Sequence, residues 1–267
     1  MSKVGVVISQ YNLGDLTKKC VDSVLNSTIC HPASHYPCEV VVIDDGSEIP
    51  YVDDRVKIIR YDTPHGNTHS MNAGIMHFIN DCDYIYNLDN DTEVEPYAIE
   101  ALMKTMDANP NIALAGSIRI QTINGRTVRL GESADLIRGM ASNVPETAET
   151  KGCLWVAGCS VMLRSSVIRE IGMFNKRLIN YCGDAEWCLR AIINHYDVVI
   201  VPKSVVKHVG QITMHTYNVK IAPDWAEYYS ILSCERMRLI LKTLPLDAVT
   251  RECGRLKYDT FIEPTTT

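Results

Sequence analysis

The feature that most constrains this chain is an alternation along its first half. Short apolar runs at residues 4–8, 39–43, 56–60, 84–88 and 112–117 are separated by segments whose apolar residues recur at helical spacing. Leu16, Cys20, Val24 and Leu25 mark one such helical face, with Asp15 expected as its N-terminal cap. Met71, Ile75, Phe78 and Ile79 mark a second across residues 68–80, and a third helix is expected to open at Pro96 and close at Asn109-Pro110. Runs such as VGVVI and EVVVI are apolar at successive positions, as strands covered on both faces require. Strand and helix in turn at this pace predict βαβ units. The expected fold is α/β, a single Rossmann-like domain with a mostly parallel twisted central sheet flanked by helices.

The second half is less regular. Residues 118–150 are polar with interspersed glycines, and are read as a hairpin or long loop over the sheet, on the acceptor side of any site. Strand character returns over 155–164, a short helix over 166–171 stops at Gly172, and 184–194, 198–201 and 228–242 read as helix, strand and amphipathic helix. No repeat, low-complexity tract or linker divides the chain, so one domain over 1–245 with a tail at 246–267 is expected.

Charge narrows the function. Thirty-two acidic residues against 26 Lys and Arg leave a net charge of -6, which disfavours a dedicated nucleic-acid binder. It suits a site that takes a divalent cation first and an anionic ligand through it. The N-terminal apolar run is too short for a signal peptide, and no stretch approaches the roughly 18 apolar residues of a membrane span. A cytoplasmic protein without a membrane-spanning segment is expected. The 10 cysteines are scattered, with no C-x-x-C pair to hold zinc, and read as reduced, mostly buried thiols.

The acids fall where ligands bind in parallel sheets, just past the carboxyl ends of strands. In YIYNLDND a buried strand delivers Asp89 and Asp91, two carboxylates one residue apart that can reach one hard cation such as Mg²⁺ or Mn²⁺. A D-x-D by itself equally suits a solvated turn. Asp45, after EVVVI, can accept from the ring N–H of a nucleobase, or simply serve a turn with Gly46. Ser9 and Tyr11, closing the first strand, can bind and stack on a base. Asp184 in GDAEWCLRA begins a helix, where the dipole favours its ionised form; it reads either as a cap or as a general base. His208 ends a strand and can complete a Mn²⁺ site made otherwise of carboxylates. Arg190 is expected to pair structurally with an acid.

Taken in order, VVISQYN, VVVIDDGS, HGNTHSMNAGI, YIYNLDNDTEVEP, WVAGCSVMLRSSVIREIGMFN, GDAEWCLRA and VPKSVVKHVG resemble the inverting glycosyltransferases of family 2, with the GT-A fold. SCERMRLILKTLP resembles the closing helix of the rhamnosyltransferase-like members, so the likeness spans roughly residues 3 to 245. The resemblance implies transfer of a sugar from a nucleotide-diphosphate sugar to a hydroxyl-bearing glycan or glycolipid acceptor, with Mn²⁺ or Mg²⁺. It assigns Ser9, Tyr11, Asp45, Asn72 and Asn90 to the nucleotide donor, Asp89, Asp91 and His208 to the metal, and Asp184 to the catalytic base. The chain departs from the family pattern at Gln10, at Gly183 where a Glu is usual, and at Glu235-Arg236-Met237. A sugar nucleotidyltransferase lacks its glycine-rich triphosphate loop here, and a nucleotide-sugar-binding inactive paralogue draws support from Gly183. Peripheral membrane association is compatible with a lipid-linked acceptor, and the sequence carries no signal of oligomeric state.

Overall fold

The computed structural model describes residues 1–123, 126–131, 142–145, 147–179 and 183–209. In chain order these form β1 (Val4–Gln10), α1 (Gly14–Leu25), β2 (Cys38–Asp45), β3 (Lys57–Tyr61), α2 (Asn67–Phe78), β4 (Tyr84–Asp89) and β5 (Thr92–Val94). There follow α3 (Ala98–Ala108), β6 (Ile112–Ile123), β7 (Arg126–Gly131), β8 (Ser142–Asn143), β9 (Lys151–Gly152), β10 (Ser160–Arg164), α4 (Ser165–Ile171), α5 (Gly183–Ile193) and β11 (Asp197–His208). The main sheet runs β3-β2-β1-β4-β10-β6-β11-β5. β3, β2, β1 and β4 are mutually parallel, as are β6 and β11, while β10 and the edge strand β5 run against their neighbours. The expected α/β architecture, a mostly parallel sheet with helices on it, is what these residues form.

Alternation along the strands divides the core between two faces. Val6, Ile8, Tyr86 and Leu88 face α1 and α3 through Cys20, Val24, Ile99, Leu102 and Met106. Val7, Ile43 and Ile85 face α2 and α5 through Met71, Ile75, Phe78 and Trp187. Where the strand direction reverses at β10, a chain of hydroxyls crosses the sheet. Tyr86 Oη, Ser160 Oγ, Ser117 Oγ and Ser204 Oγ are joined by successive 2.7 Å hydrogen bonds on β4, β10, β6 and β11. A one-residue slip of β10 would strand these buried groups, so the chain pins the register.

Several expectations are corrected. Asp15 lies in the first turn of α1 rather than capping it; Leu13 holds the cap position in a left-handed conformation, φ 54°. Only Ser160–Arg164 of the stretch 155–164 is strand. The strand expected at 198–201 runs on to His208 through an irregularity between Val201 and Val205, and β5, too short to show a period, was not anticipated. The hairpin expected after residue 118 is present as β6 paired with β7. Cys30 and Cys38 form a disulfide that ties the end of the α1 turn to the start of β2, against the expectation of reduced thiols throughout. Cys20, Cys82, Cys153, Cys159 and Cys188 are free and buried as expected. The expected helix at 228–242 and the tail at 246–267 lie outside the described residues. Among the described residues no helix is long and apolar enough to cross a membrane.

The seat of α2 on β1 depends on missing side chains, Gly5 on the strand and Gly74 on the helix. A Cβ on Gly74 would sit 2.2 Å from Val7 Cγ1, so the helix lies closer to the sheet than any other residue permits. Helix propensity alone would make Gly74→Ala stabilising by about 1 kcal/mol. The overlap reverses that: Gly74→Ala is expected to cost on the order of 1–3 kcal/mol in a denaturant or thermal melt.

Candidate functional site

Strand ends gather the polar residues at one edge of the sheet. Asp45, Asp89 and His208 are the last residues of β2, β4 and β11, and Asp91 follows two residues after Asp89. Ser9 stands beside Asp89 in the β1–β4 register. A carboxylate oxygen from each of Asp89 and Asp91 and a ring nitrogen of His208 lie within 4.8 Å of one another. His208 Nε2 is 3.2 Å from Asp91 Oδ1. On the far side of the imidazole, Gln121 Nε2 comes within 2.6 Å of Nδ1.

The electrostatics record how crowded this edge is. Burial first, and then the charge of Asp91, push the Asp89 pKa up to about 6; Asp184 adds to the rise, while His208 and a hydrogen bond from Asn67 oppose it. For His208 burial works against the imidazolium, but Cys159 and Asp91 outweigh it and lift its pKa to about 11. Two oxygens and an imidazole nitrogen around one point, with Asp89 driven toward protonation by burial and by the charge of Asp91, suit a divalent cation.

Asp184 reaches the same edge because α5 docks against the start of α2. Thr68 N–H donates to Ile179 O at 2.9 Å, the Thr68 hydroxyl donates to Leu178 O, and a Cβ on Gly183 would meet Thr68 Oγ1 at 3.2 Å. Gly183 is therefore a packing contact between the two helix starts. Asp184 Oδ2 accepts from Gly158 N–H at 2.7 Å and Oδ1 accepts from Ala185 N–H at 2.8 Å. Burial raises its pKa, and the two N–H groups and Arg119 pull the other way. Arg190 is structural as expected: it pairs with Glu186 and donates to the carbonyls of Ile171 and Met173.

The nucleotide-side residues are placed unevenly. Ser9 is buried, and its Oγ has no hydrogen-bond partner among the described residues. Tyr11 is half-buried at the turn after β1. Asp45 accepts from the backbone N–H groups of His65 and Gly66, at 3.0 and 2.7 Å, which fixes the chain leading into α2. Gly46 (φ 74°) allows this approach, since a Cβ there would lie 2.6 Å from the Thr63 carbonyl carbon. Asp44, its buried neighbour, is bound to Arg60 and to the N–H groups of Ser47 and Tyr51. Two of the expected nucleotide-side residues make structural bonds. Asn72 exchanges both ends of its amide with the Phe174 backbone, at 2.9 and 3.0 Å, and so clamps α2. Asn90 donates to Gln10 Oε1 and Thr17 Oγ1, at 2.9 and 3.0 Å, because the turn between the two acids needs an internal anchor. Gln10 completes that knot by donating to Ser47 Oγ and accepting from the Thr17 hydroxyl. Asn67, Cys159, Gln121 and Arg119 were not singled out from the sequence; each comes close only through strand register or a helix start.

An open, mostly parallel sheet with its acids collected at the strand ends has the GT-A-like α/β form of a glycosyltransferase domain. The chain belongs to glycosyl transferase family 2, whose pattern matches residues 5–172, more than half of the 267. It is similar in structure to GalNAc-T7 crystallised with UDP, GalNAc and Mn²⁺, at 17% identity and a TM-score of 0.67 over 97% of this chain. It spans 55% of that chain, about half its length. It is also similar to S. aureus TarS 1–349, at 14% identity and a TM-score of 0.60, over 97% of this chain and 72% of that one. At such identities the likeness speaks for the fold alone. No curated protein matches the sequence.

A raised carboxyl pKa is a cost to the fold once the group ionises. Asp89 binds its proton more tightly folded than unfolded, so this cost is absent below the unfolded pKa near 4 and complete above about 6. Asp89→Asn is therefore expected to raise cation-free stability at pH 8, by on the order of 1–3 kcal/mol, with the gain vanishing below about pH 4. Thermal melts in chelator across that range measure it.

Proposed function

We propose that this chain is a metal-dependent inverting glycosyltransferase. It moves a sugar from a nucleotide-diphosphate sugar to a hydroxyl of a glycan or glycolipid acceptor, in glycan or polysaccharide synthesis. One observation carries the reading: the Asp89, Asp91 and His208 donor set shares a sheet edge with Asp184, near enough for Asp184 to shift the Asp89 titration. The UDP and Mn²⁺ of the GalNAc-T7 structure support the donor class and the metal. The likeness of SCERMRLILKTLP to the closing helix of the rhamnosyltransferase-like members favours that branch.

Asp89, Asp91 and His208 hold the cation, Mn²⁺ or Mg²⁺. When bound, it neutralises the charge that grows on the departing diphosphate. Ser9, Tyr11 and Asp45 hold the base and ribose; the buried Ser9 hydroxyl, which has no hydrogen-bond partner among the described residues, supports this. Asp184 is the general base. One backbone N–H on each oxygen fixes its orientation and leaves each a lone pair, and burial raises its proton affinity. It takes the acceptor hydroxyl proton as that oxygen bonds to the anomeric carbon. The anomeric C–O bond to the diphosphate breaks on the opposite face, which inverts the centre.

The inactive-paralogue reading rested on Gly183, which here meets Thr68, so the residue argues for packing and not for lost chemistry. We place the protein in the cytoplasm, at the membrane surface where the acceptor is lipid-linked. The Cys30–Cys38 bond, of a kind that persists in oxidising compartments, weighs against that placement.

Thermal shifts with UDP-, GDP-, dTDP- and CMP-sugars, with and without Mn²⁺, test the donor half of the proposal. A sugar nucleotide that stabilises only with the metal is the expected result; equal stabilisation in chelator removes the metal from donor binding. Asp184→Asn is expected to keep that shift and lose turnover by about 10²–10⁴-fold. Wild-type turnover in this variant excludes Asp184 as the base.

A further inference from the structure

We propose that Gln121 is a positioning residue for the metal site: its carboxamide oxygen accepts the Nδ1 hydrogen of His208 and so holds the Nε2 lone pair toward Asp89 and Asp91. The proposal rests on the metal reading above and extends it to a residue outside the ligand set.

The geometry comes from register. β6 and β11 are parallel, with Val206 opposite Arg119 and Lys207 opposite Ile120, so the next step along both strands sets His208 beside Gln121. On the other side of β11, His208 lies opposite Thr92, next to Asp91 in the chain. The imidazole is thus held between two strands, with Nε2 3.2 Å from the Asp91 carboxylate and Nδ1 2.6 Å from the Gln121 amide. Gln121 is itself held on its second side, where β6 pairs with β7 and Gln121 faces Val128. A side chain carried on a strand bonded along both edges is a rigid support.

A neutral imidazole that binds a cation through Nε2 keeps its hydrogen on Nδ1, and that hydrogen needs an acceptor. The two ends of a carboxamide have the same shape, and a half-turn of its last torsion exchanges them. With Nε2 of Gln121 toward Nδ1, a neutral ring must carry its hydrogen on the side of Asp91 and offers no lone pair there. With Oε1 toward Nδ1, the ring offers Nε2 to the cation. Gln121 thereby selects between a ring closed onto Asp91 and a ring open to metal.

Mn²⁺ binding to the donor-free protein, followed by electron paramagnetic resonance, tests this without turnover. Gln121→Leu, which has no acceptor, is expected to weaken Mn²⁺ binding about 10–100-fold. Gln121→Glu keeps an oxygen at the same reach and is expected to retain binding within about threefold of wild type. With Mg²⁺ bound, nitrogen NMR of the histidines is expected to show His208 protonated at Nδ1 in wild type and a tautomer mixture in Gln121→Leu. A merely structural role would not move that signature. Melts in chelator identify a variant that fails to fold, in which case Gln121→Met replaces Gln121→Leu. Wild-type Mn²⁺ affinity in a folded Gln121→Leu, with affinity lost in His208→Ala, overturns the role of Gln121 alone. Wild-type affinity in His208→Ala overturns the metal reading at that histidine and the proposal with it.

Discussion

Like charges held close together govern this structure. Asp89, Asp91 and Asp184 meet at one sheet edge, where burial raises the proton affinity of Asp89 and Asp184 and the charges of Asp91 and Asp184 add to the rise at Asp89. Such an arrangement persists only where neutral dipoles and a cationic group share the load. Here they are specific: two backbone N–H groups on Asp184, the Asn67 amide toward Asp89, and the His208 imidazole against Asp91. A cation bound at Asp89, Asp91 and His208 would relieve the remaining repulsion.

The supports for this edge are themselves polar and lie one layer back. Gln10 joins the end of β1 to the loop after β2, to α1 and to the turn between the two metal-side acids. Asn12 and Leu13, both left-handed, are anchored by a 2.7 Å bond from the Asn12 N–H to Ser47 Oγ and a 2.9 Å bond from Glu48 N–H to Asn12 Oδ1. Strain in that turn is tolerated because these bonds, one of them to the buried Ser47, hold it. Asn72 performs the same service on the other face by holding Phe174, and so the segment that precedes Asp184.

Periodicity and strand ends made much of this legible from sequence. The apolar runs gave β1 to β4, and acids at or just past the ends of such runs pointed to Asp45, Asp89 and Asp91. His208 was read from a strand end in the same way, and Asp184 from a helix start. The structural bonds of Asn72 and Asn90 were not legible, because an amide serves backbone and ligand equally well and the sequence does not say which it meets. Gln121 and Cys159 escaped because their proximity arises from register between strands distant along the chain. Gly183 looked like a lost catalytic partner until the approach of Thr68 gave it a steric reason. The Cys30–Cys38 bond depends on how a loop closes, which spacing alone leaves open.

β10 runs opposite to the strands on either side of it, so at this point the chain enters the sheet where its neighbours leave it. The segment that carries Gly158 and Cys159 therefore descends onto the acidic edge from above, instead of departing from it like the loops after β1, β2 and β4. Its length sets the height of the Gly158 N–H over Asp184. A single residue inserted or removed between Trp155 and Gly158 would shift the N–H that Asp184 accepts without touching Asp89, Asp91 or His208.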